Sequence, residues 1–436
     1  MDPSYAPYIA VALIILLMAF GAPVFAALAL SGAVGIVLVE DFAFLMTRLK
    51  SISYSTTAVY TLTIIPLFIL MGEILFRSGL ADNMFRALSP WLNRLPGRLL
   101  HSNIIGSGLF AAVCGSSAAT CATVGKMTLP ELERRGYSET QAIGTLASAS
   151  TLGLLIPPSI MMIVYGVVTE QSISRLFMAG IGPGLLLLAL FMIYLVIWSL
   201  TAGKHGGAGH AEAPMPFLDK VRNSWRLIPL LVLIGGILGS IYGGVASPTE
   251  AAAVGVVLSM LIARWNGHFD KSIFLESMFA GLRTSCMIAF IIAGASFLSS
   301  AMSFTQLPTQ LASTIAAMGL SPNVLLVMLT LFLLVLGCFL DGISLILLVT
   351  SIIMPLVSAA GIDPIWFGIY LVIVVEISQI TPPVGFNLFV IQGLTGKNIF
   401  TIAKATLPFF LLMLFAIVLM RAFPEIVLYL PQAMTG

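Results

Sequence analysis

The chain has 436 residues, 59% apolar and 9% charged, with a net charge of +2 and a mean hydropathy of +1.07. Soluble globular chains carry about 25% charged residues, so this composition excludes one, and the near-neutral balance excludes a nucleic-acid binder. So little chain can face water that no separate soluble domain fits, and the length implies roughly ten to twelve membrane helices or half-helices.

The N-terminus carries only Asp2, has no basic leader region and runs into an apolar stretch over residues 8–30. That stretch is expected to remain as the first membrane helix and not to be cleaved as a signal peptide. Apolar runs recur over residues 61–76, 185–200, 228–242 and 407–420. Arg77, Arg86, Arg94 and Arg98 mark one basic loop, and Lys204, Lys220, Arg222 and Arg226 another. Both are placed on the cytoplasmic side, where short loops collect positive charge.

Next comes an apolar arm over residues 100–113, a polar tip, Cys114-Gly115-Ser116-Ser117-Ala118-Ala119-Thr120, and a second arm to residue 129. Arms of about 14 residues are too short to span, so the pair reads as a re-entrant hairpin stopping at mid-depth. Residues 140–163 would then form one helix but for Pro157-Pro158, which remove backbone donors and clash with the preceding turn. The stretch 202–222 holds Gly203, Gly206, Gly207, Gly209, Pro214 and Pro216 and reads as a linker. It separates a first repeat, 1–201, from a second, 223–436.

The second half repeats the order. An apolar arm over 324–339 leads to Asp341-Gly342-Ile343-Ser344 and a return arm to 359. A more polar break follows at Glu376-Ile377-Ser378-Gln379-Ile380-Thr381-Pro382-Pro383-Val384-Gly385-Phe386-Asn387. A shift of 225 places Pro23 on Pro248, Pro130 on Pro355, Pro157 on Pro382, Pro158 on Pro383, Pro183 on Pro408 and Gly136 on Gly361. At this proline density roughly 0.6 coincidences are expected at any one shift. Ser116 and Asp341 become equivalent. The repeats are expected to be inverted, as in transporters built on broken helices.

Unwound backbone in lipid leaves C=O and N–H groups unpaired at several kcal/mol each, so it persists only beside protein or a water-filled cavity. Freed carbonyls and hydroxyls suit a sodium ion, and helix N-termini beyond the breaks suit a carboxylate. One proline kink is commonly only a kink, and Ser or Gly commonly serves packing. Two equivalent sites, each pairing a polar tip with a Pro-Pro break, point to function instead. Asp341 and Glu376 read as buried ionisable groups, which by default mark function, although Glu376 also suits a hydrogen bond to a broken helix end. Glu73, Glu250 and Lys126 read as structural or interfacial. Cys114, Cys121, Cys286 and Cys338 form no CxxC pair, so neither disulfide nor zinc is expected, and His205 and His210 fall in the linker. Gly125-Lys126 and Gly396-Lys397 lack the rest of a phosphate loop, so ATP is not the energy source.

Three further segments carry a resemblance: Leu155-Ile156-Pro157-Pro158-Ser159, Tyr242-Gly243-Gly244-Val245-Ala246-Ser247-Pro248-Thr249-Glu250-Ala251-Ala252-Ala253, and Thr381 to Leu388. With the Gly115–Thr120 tip, they resemble the large membrane subunit of the tripartite ATP-independent periplasmic (TRAP) transporters over essentially the whole chain. The resemblance implies an all-α integral membrane fold with two inverted repeats, and a sodium-driven, elevator-type importer of organic acids in the bacterial inner membrane. It implies as partners a small four-helix membrane subunit, expected as a separate chain, and a periplasmic binding protein. It implies two sodium sites: Ser116 and Ser117 with Gly153, Ile156 and Pro157, and Asp341 and Gly342 with Gln379 and Thr381. The substrate carboxylate is implied near Ser117, Thr120, Ser159, Gly385 and Asn387. Competing readings are an intramembrane enzyme, for which no catalytic set is present, a channel, and a divalent-anion:sodium symporter working without a binding protein.

Overall fold

The structure, a computed structural model, describes residues 5–201, 215–267, 269–304, 321–383 and 385–433, and every regular element among them is helical. Asp2, Lys204, His205, His210 and Val384 lie outside the described residues. Among the described residues six helices are long and apolar enough to cross a membrane, including Ile173–Thr201, Lys271–Phe304 and Ile399–Ala422. The chain is therefore a multi-pass membrane protein.

The first apolar stretch is two helices, not one: α1 (Ala6–Ala19) and α2 (Val24–Val39). Pro23 fixes its own φ and disfavours helix at Ala22, and Gly21 takes φ +78°, so the chain turns where hydropathy alone reads straight through. Then follow α3 (Phe42–Thr57), α4 (Ile64–Arg77) and α5 (Leu80–Leu92). The first hairpin is α6 (Leu100–Cys114) and α7 (Ser117–Arg134), and the first broken helix is α8 (Glu139–Ala149) and α9 (Ile160–Val168). The half ends on α10 (Ile173–Thr201).

The described end of the linker is not irregular: α11 (Phe217–Ser224) begins inside it and joins α12 (Ile228–Tyr242) through one 3₁₀ turn. After α12 come α13 (Pro248–Trp265) and α14 (Lys271–Phe304). The second hairpin is α15 (Pro322–Gly337) and α16 (Gly342–Ala359). The second broken helix is α17 (Pro364–Gln379) and α18 (Phe386–Thr395), followed by α19 (Ile399–Ala422) and α20 (Glu425–Ala433). Both ends of α7 reappear 225 residues later as the ends of α16. The second arms have 18 residues each: the first exceeds the 14 read from sequence because Pro130 sits inside the helix without ending it, and the second ends at Ala359, where the sequence reading ended it, with Pro355 inside.

Packing pairs the halves reciprocally. α2 lies on α14 and α4 on α13; α9 lies on α16 and α18 on α7; α10 lies on α17 and α19 on α8. Gly32 and Gly294 let α2 and α14 approach so closely that a Cβ on either would meet the other helix's backbone at 2.8 and 2.7 Å. The broken helices run antiparallel. Lys397, just past α18, pairs with Glu139 at the start of α8 at 3.1 Å, and the Tyr165 hydroxyl in α9 donates to the Pro364 carbonyl at the start of α17 at 2.7 Å. Two of the three groups read as structural or interfacial are employed structurally: Glu73 pairs with Arg77, and Glu250 closes a capping box with Ser247.

Candidate ion and substrate site

The first break begins before its prolines. After α8 the chain narrows to a 3₁₀ segment, Ser150–Leu154. There Ser150 donates to the Ala147 carbonyl and Thr151 to the Ser148 carbonyl, each at 2.8 Å, and such back-bonding bends a helix. Pro157, Pro158 and Ser159 are buried. Ser159 caps α9, accepting from Met162 N–H at 3.4 Å, and its hydroxyl donates back across the break to the Leu154 carbonyl. Its side chain is thus committed to backbone on both sides. Gly153 lies where any Cβ would overlap Ala111 of α6, and Ile156 packs towards Gly184 of α10 and Gly108 of α6.

The tip facing this break uses Gly115 at φ +64° to end α6 and Ser116 to cap α7, with Ser116 Oγ accepting from Ala119 N–H at 3.4 Å. A Cβ on Gly115 would stand 3.0 Å from Ile160, so the tip rests on the first turn of α9. Ser117 and Thr120 are buried beside it, and Thr120 Oγ1 has no hydrogen-bond partner beyond the Cys114 thiol.

The second break is shorter and more open. α17 stays helical to Gln379, with Ser378 and Thr381 bonding back to the Val375 and Ile377 carbonyls at 2.6 Å each. Pro383 is exposed and Pro382 half-buried, whereas their counterparts are buried. Gly385 N–H donates to the Thr381 carbonyl at 3.0 Å, and a Cβ on Gly385 would lie 2.7 Å from that oxygen and 2.8 Å from the Gln379 carbonyl. Two carbonyl oxygens therefore converge on a point that only glycine leaves free. Carbonyl and hydroxyl oxygens are the hard ligands an alkali cation accepts, so the donor chemistry here fits one.

The second tip reaches this break through Cys338, whose Sγ lies 3.3 Å from the Pro382 carbonyl. Asp341 caps α16, one carboxylate oxygen accepting from Ser344 N–H at 3.3 Å and the other from the Ser344 hydroxyl. The expectation of a buried Asp341 is corrected: the residue is exposed, because a cap stands at the helix end with its carboxylate turned to its own first turn. A Cβ on Gly342 would come within 2.7 Å of Val375 and would overlap Met161. Both tips therefore meet at Ile160 and Met161.

Asn387 ties the breaks together. Its amide nitrogen donates to Ser150 Oγ at 3.3 Å and the Ala147 carbonyl at 3.5 Å, while its amide oxygen is buried without a partner. Glu376 is fully buried as expected, yet neither carboxylate oxygen has a partner, so it does not hold a helix end. The structure thus gathers the sequence-predicted residues around one crossing of two breaks and two tips. Sequence reasoning missed Cys338, Ser150 and the Ile160-Met161 seat. The hydroxyl run Ser148, Ser150, Thr151 was a visible signal for Ser150; the others are apolar or small residues whose role exists only in contact.

Cavities flank the crossing at both ends. One of about 660 Å³ is lined by Lys126, Pro130, Glu139 and Lys397; another of about 1210 Å³ is lined by Thr169, Ser296, Ser299, Ser303, Ser351 and Pro355. Lys126 and Pro130 map on Ser351 and Pro355 at the shift of 225. The first lies at the Glu139 end of the broken helices and the second at the Thr169 end.

The family model described as the DctM component of the tripartite ATP-independent periplasmic transporter matches residues 11–426. Over 411 residues the chain is 35% identical to the C4-dicarboxylate TRAP transporter large permease protein DctM of Pseudomonas aeruginosa, covering 93% of each. Over 380 residues it is 31% identical to the isethionate TRAP transporter permease protein DctMQ of Oleidesulfovibrio alaskensis, covering 87% of this chain and 59% of that one. Among solved structures, the Alcanivorax borkumensis YdaH transporter shares the fold at a TM-score of 0.61 and 13% identity, over 87% of this chain and 88% of that one.

Proposed function

The chain belongs to the DctM components of the tripartite ATP-independent periplasmic transporters, and we propose that it carries an organic acid anion across the bacterial inner membrane, driven by sodium. The observation that carries this reading is the crossing of two antiparallel broken helices, tied by Asn387, with the Gln379 and Thr381 carbonyls converging beside a hairpin tip.

In this reading residues 1–201 and 223–436 are inverted repeats, supported by the reciprocal packing and the antiparallel broken helices. One sodium rests on Gln379 and Thr381 with the Asp341-Gly342 tip; the other rests on Ser116 and Ser117 with the backbone from Gly153 through Ile156 to Pro157. The substrate sits between the tips near Ser117, Thr120, Gly385 and Asn387. Ser159, its hydroxyl already spent on Leu154, shapes the site through backbone instead of touching the substrate. Bound cations offset the anion's charge, which lowers the cost of carrying it past a low-dielectric interior. The hairpins and broken helices then move as one body against the scaffold of α2, α4, α13 and α14, opening one flanking cavity at a time.

Delivery by a periplasmic binding protein and a scaffold completed by a small four-helix membrane subunit follow from the tripartite family. The named relatives differ in substrate, so which acid this chain carries is a separate choice. The test is uptake into proteoliposomes with all three components under an imposed sodium gradient. Saturable, gradient-dependent uptake is expected, and uptake indifferent to the gradient sinks the coupling.

A further inference from the structure

Away from the crossing, a groove of about 290 Å³ opens on the outer face of the bundle, where α12 and α13 run side by side. Its walls are apolar, formed by Val232, Leu258 and Leu261, and its polar groups sit at one end, on Arg226, Asn266 and the edge of Trp265. Val232 lies six positions beyond Arg226, and Leu258 seven positions before Trp265. At 1.5 Å per residue the polar mouth and the apolar floor stand about 10 Å apart along the helix axes. The groove is therefore shaped for a ligand with a polar head and an aliphatic tail.

The head is anionic. Among the described residues Arg226 forms no ion pair, and the hollow next to it holds Arg222 and Arg226 with Asp219. A guanidinium presents a planar fork of donors that matches a phosphate. The level in the membrane agrees. α11 turns Phe217, Leu218 and Val221 outward while Lys220 lies over the Trp91 ring at 5.9 Å, the pattern of a helix lying in the interface plane. Trp225 and Trp265, both largely exposed, stand where tryptophans mark the headgroup layer. Basic pockets between membrane helices on the cytoplasmic side recognise anionic lipid.

We infer that this groove holds one acyl chain of an anionic phospholipid whose phosphate rests on Arg226. The full chain, purified in detergent and stripped of lipid, is titrated with phosphatidylglycerol or phosphatidylcholine of identical chains and followed by native mass spectrometry and thermal melting. Phosphatidylglycerol is expected to be retained preferentially and to raise Tm. Arg226→Gln is expected to weaken its binding about tenfold or more, the scale of a lost charged hydrogen bond. Arg226→Lys keeps the charge and retains part of the preference. Leu258→Trp fills the groove and is expected to lose both lipids with Arg226 intact. Equal retention of the two lipids, or undiminished phosphatidylglycerol binding in Arg226→Gln, overturns the site. Stabilisation by glycerol phosphate as large as by the lipid overturns the acyl part, and a cross-link from Leu258→Cys to a partner helix identifies the occupant as protein and overturns the lipid.

Discussion

The same dipeptide, Pro-Pro, interrupts two equivalent helices and produces two different kinds of gap. Around Pro157-Pro158 the chain unwinds gradually through a 3₁₀ segment, and the gap is filled: Gly153 against Ala111, Ile156 against α10, and Ser159 bridging to Leu154. Around Pro382-Pro383 the helix stops abruptly, the second proline is exposed, and carbonyl oxygens converge on Gly385. The Pro-Pro pair decides that a helix breaks, where the single prolines Pro130 and Pro355 do not. The neighbours decide whether the break becomes a packed joint or an open set of oxygens, because freed carbonyls must face protein, ion or water.

If the first break is a packed joint, its changes strike stability first. Gly153→Val forces α6 and the 3₁₀ segment apart and is expected to cost about 3 kcal/mol or more, read as a large drop in Tm or loss of folded protein. A variant melting like the unaltered chain would show that the joint yields. Ser159→Ala strands the Leu154 carbonyl and the Met162 N–H and is expected to cost about 1–3 kcal/mol by the same measurement. An unchanged Tm removes the bridge from the account.

At the second break the balance shifts towards transport. Asn387→Ala removes the tie to Ser150 and is expected to cost about 1 kcal/mol while lowering uptake severalfold. Full uptake would separate the crossing from the transport path. Gly385→Ala drives a Cβ against the Gln379 and Thr381 backbone and is expected to cost about 1–3 kcal/mol. Its effect on transport lies in the sodium dependence of uptake, which should shift to higher concentration; an unchanged sodium curve places the ion elsewhere. Glu376→Met carries the smallest expected loss and the opposite sign. Removing two unpaired buried oxygens should hold or raise Tm, while uptake falls if the carboxyl is kept for function. A lowered Tm would mean that the carboxyl is structural.

Much of the fold was legible in the sequence because its signals are local. Hydropathy located most spans, and the 225-residue repeat of prolines and glycines located the hairpins and breaks. The failures were local as well. Pro23 split a run that looked continuous, and Pro130, which looked like an end, stayed inside its helix. Asp341 looked buried because its neighbours are apolar, yet exposure depends on where the tip points and not on the composition around it.

The sequence by itself determined that this is a membrane protein with two hairpins and two helices that cannot continue, since composition, arm length and proline chemistry act within a few residues. Only the tertiary structure decided that both tips seat on Ile160 and Met161, that Asn387 reaches Ser150 across 237 positions, and that one break is filled while the other stays open. Those outcomes depend on which backbones approach closely enough to require glycine, and that distance is set by packing between segments remote in the chain.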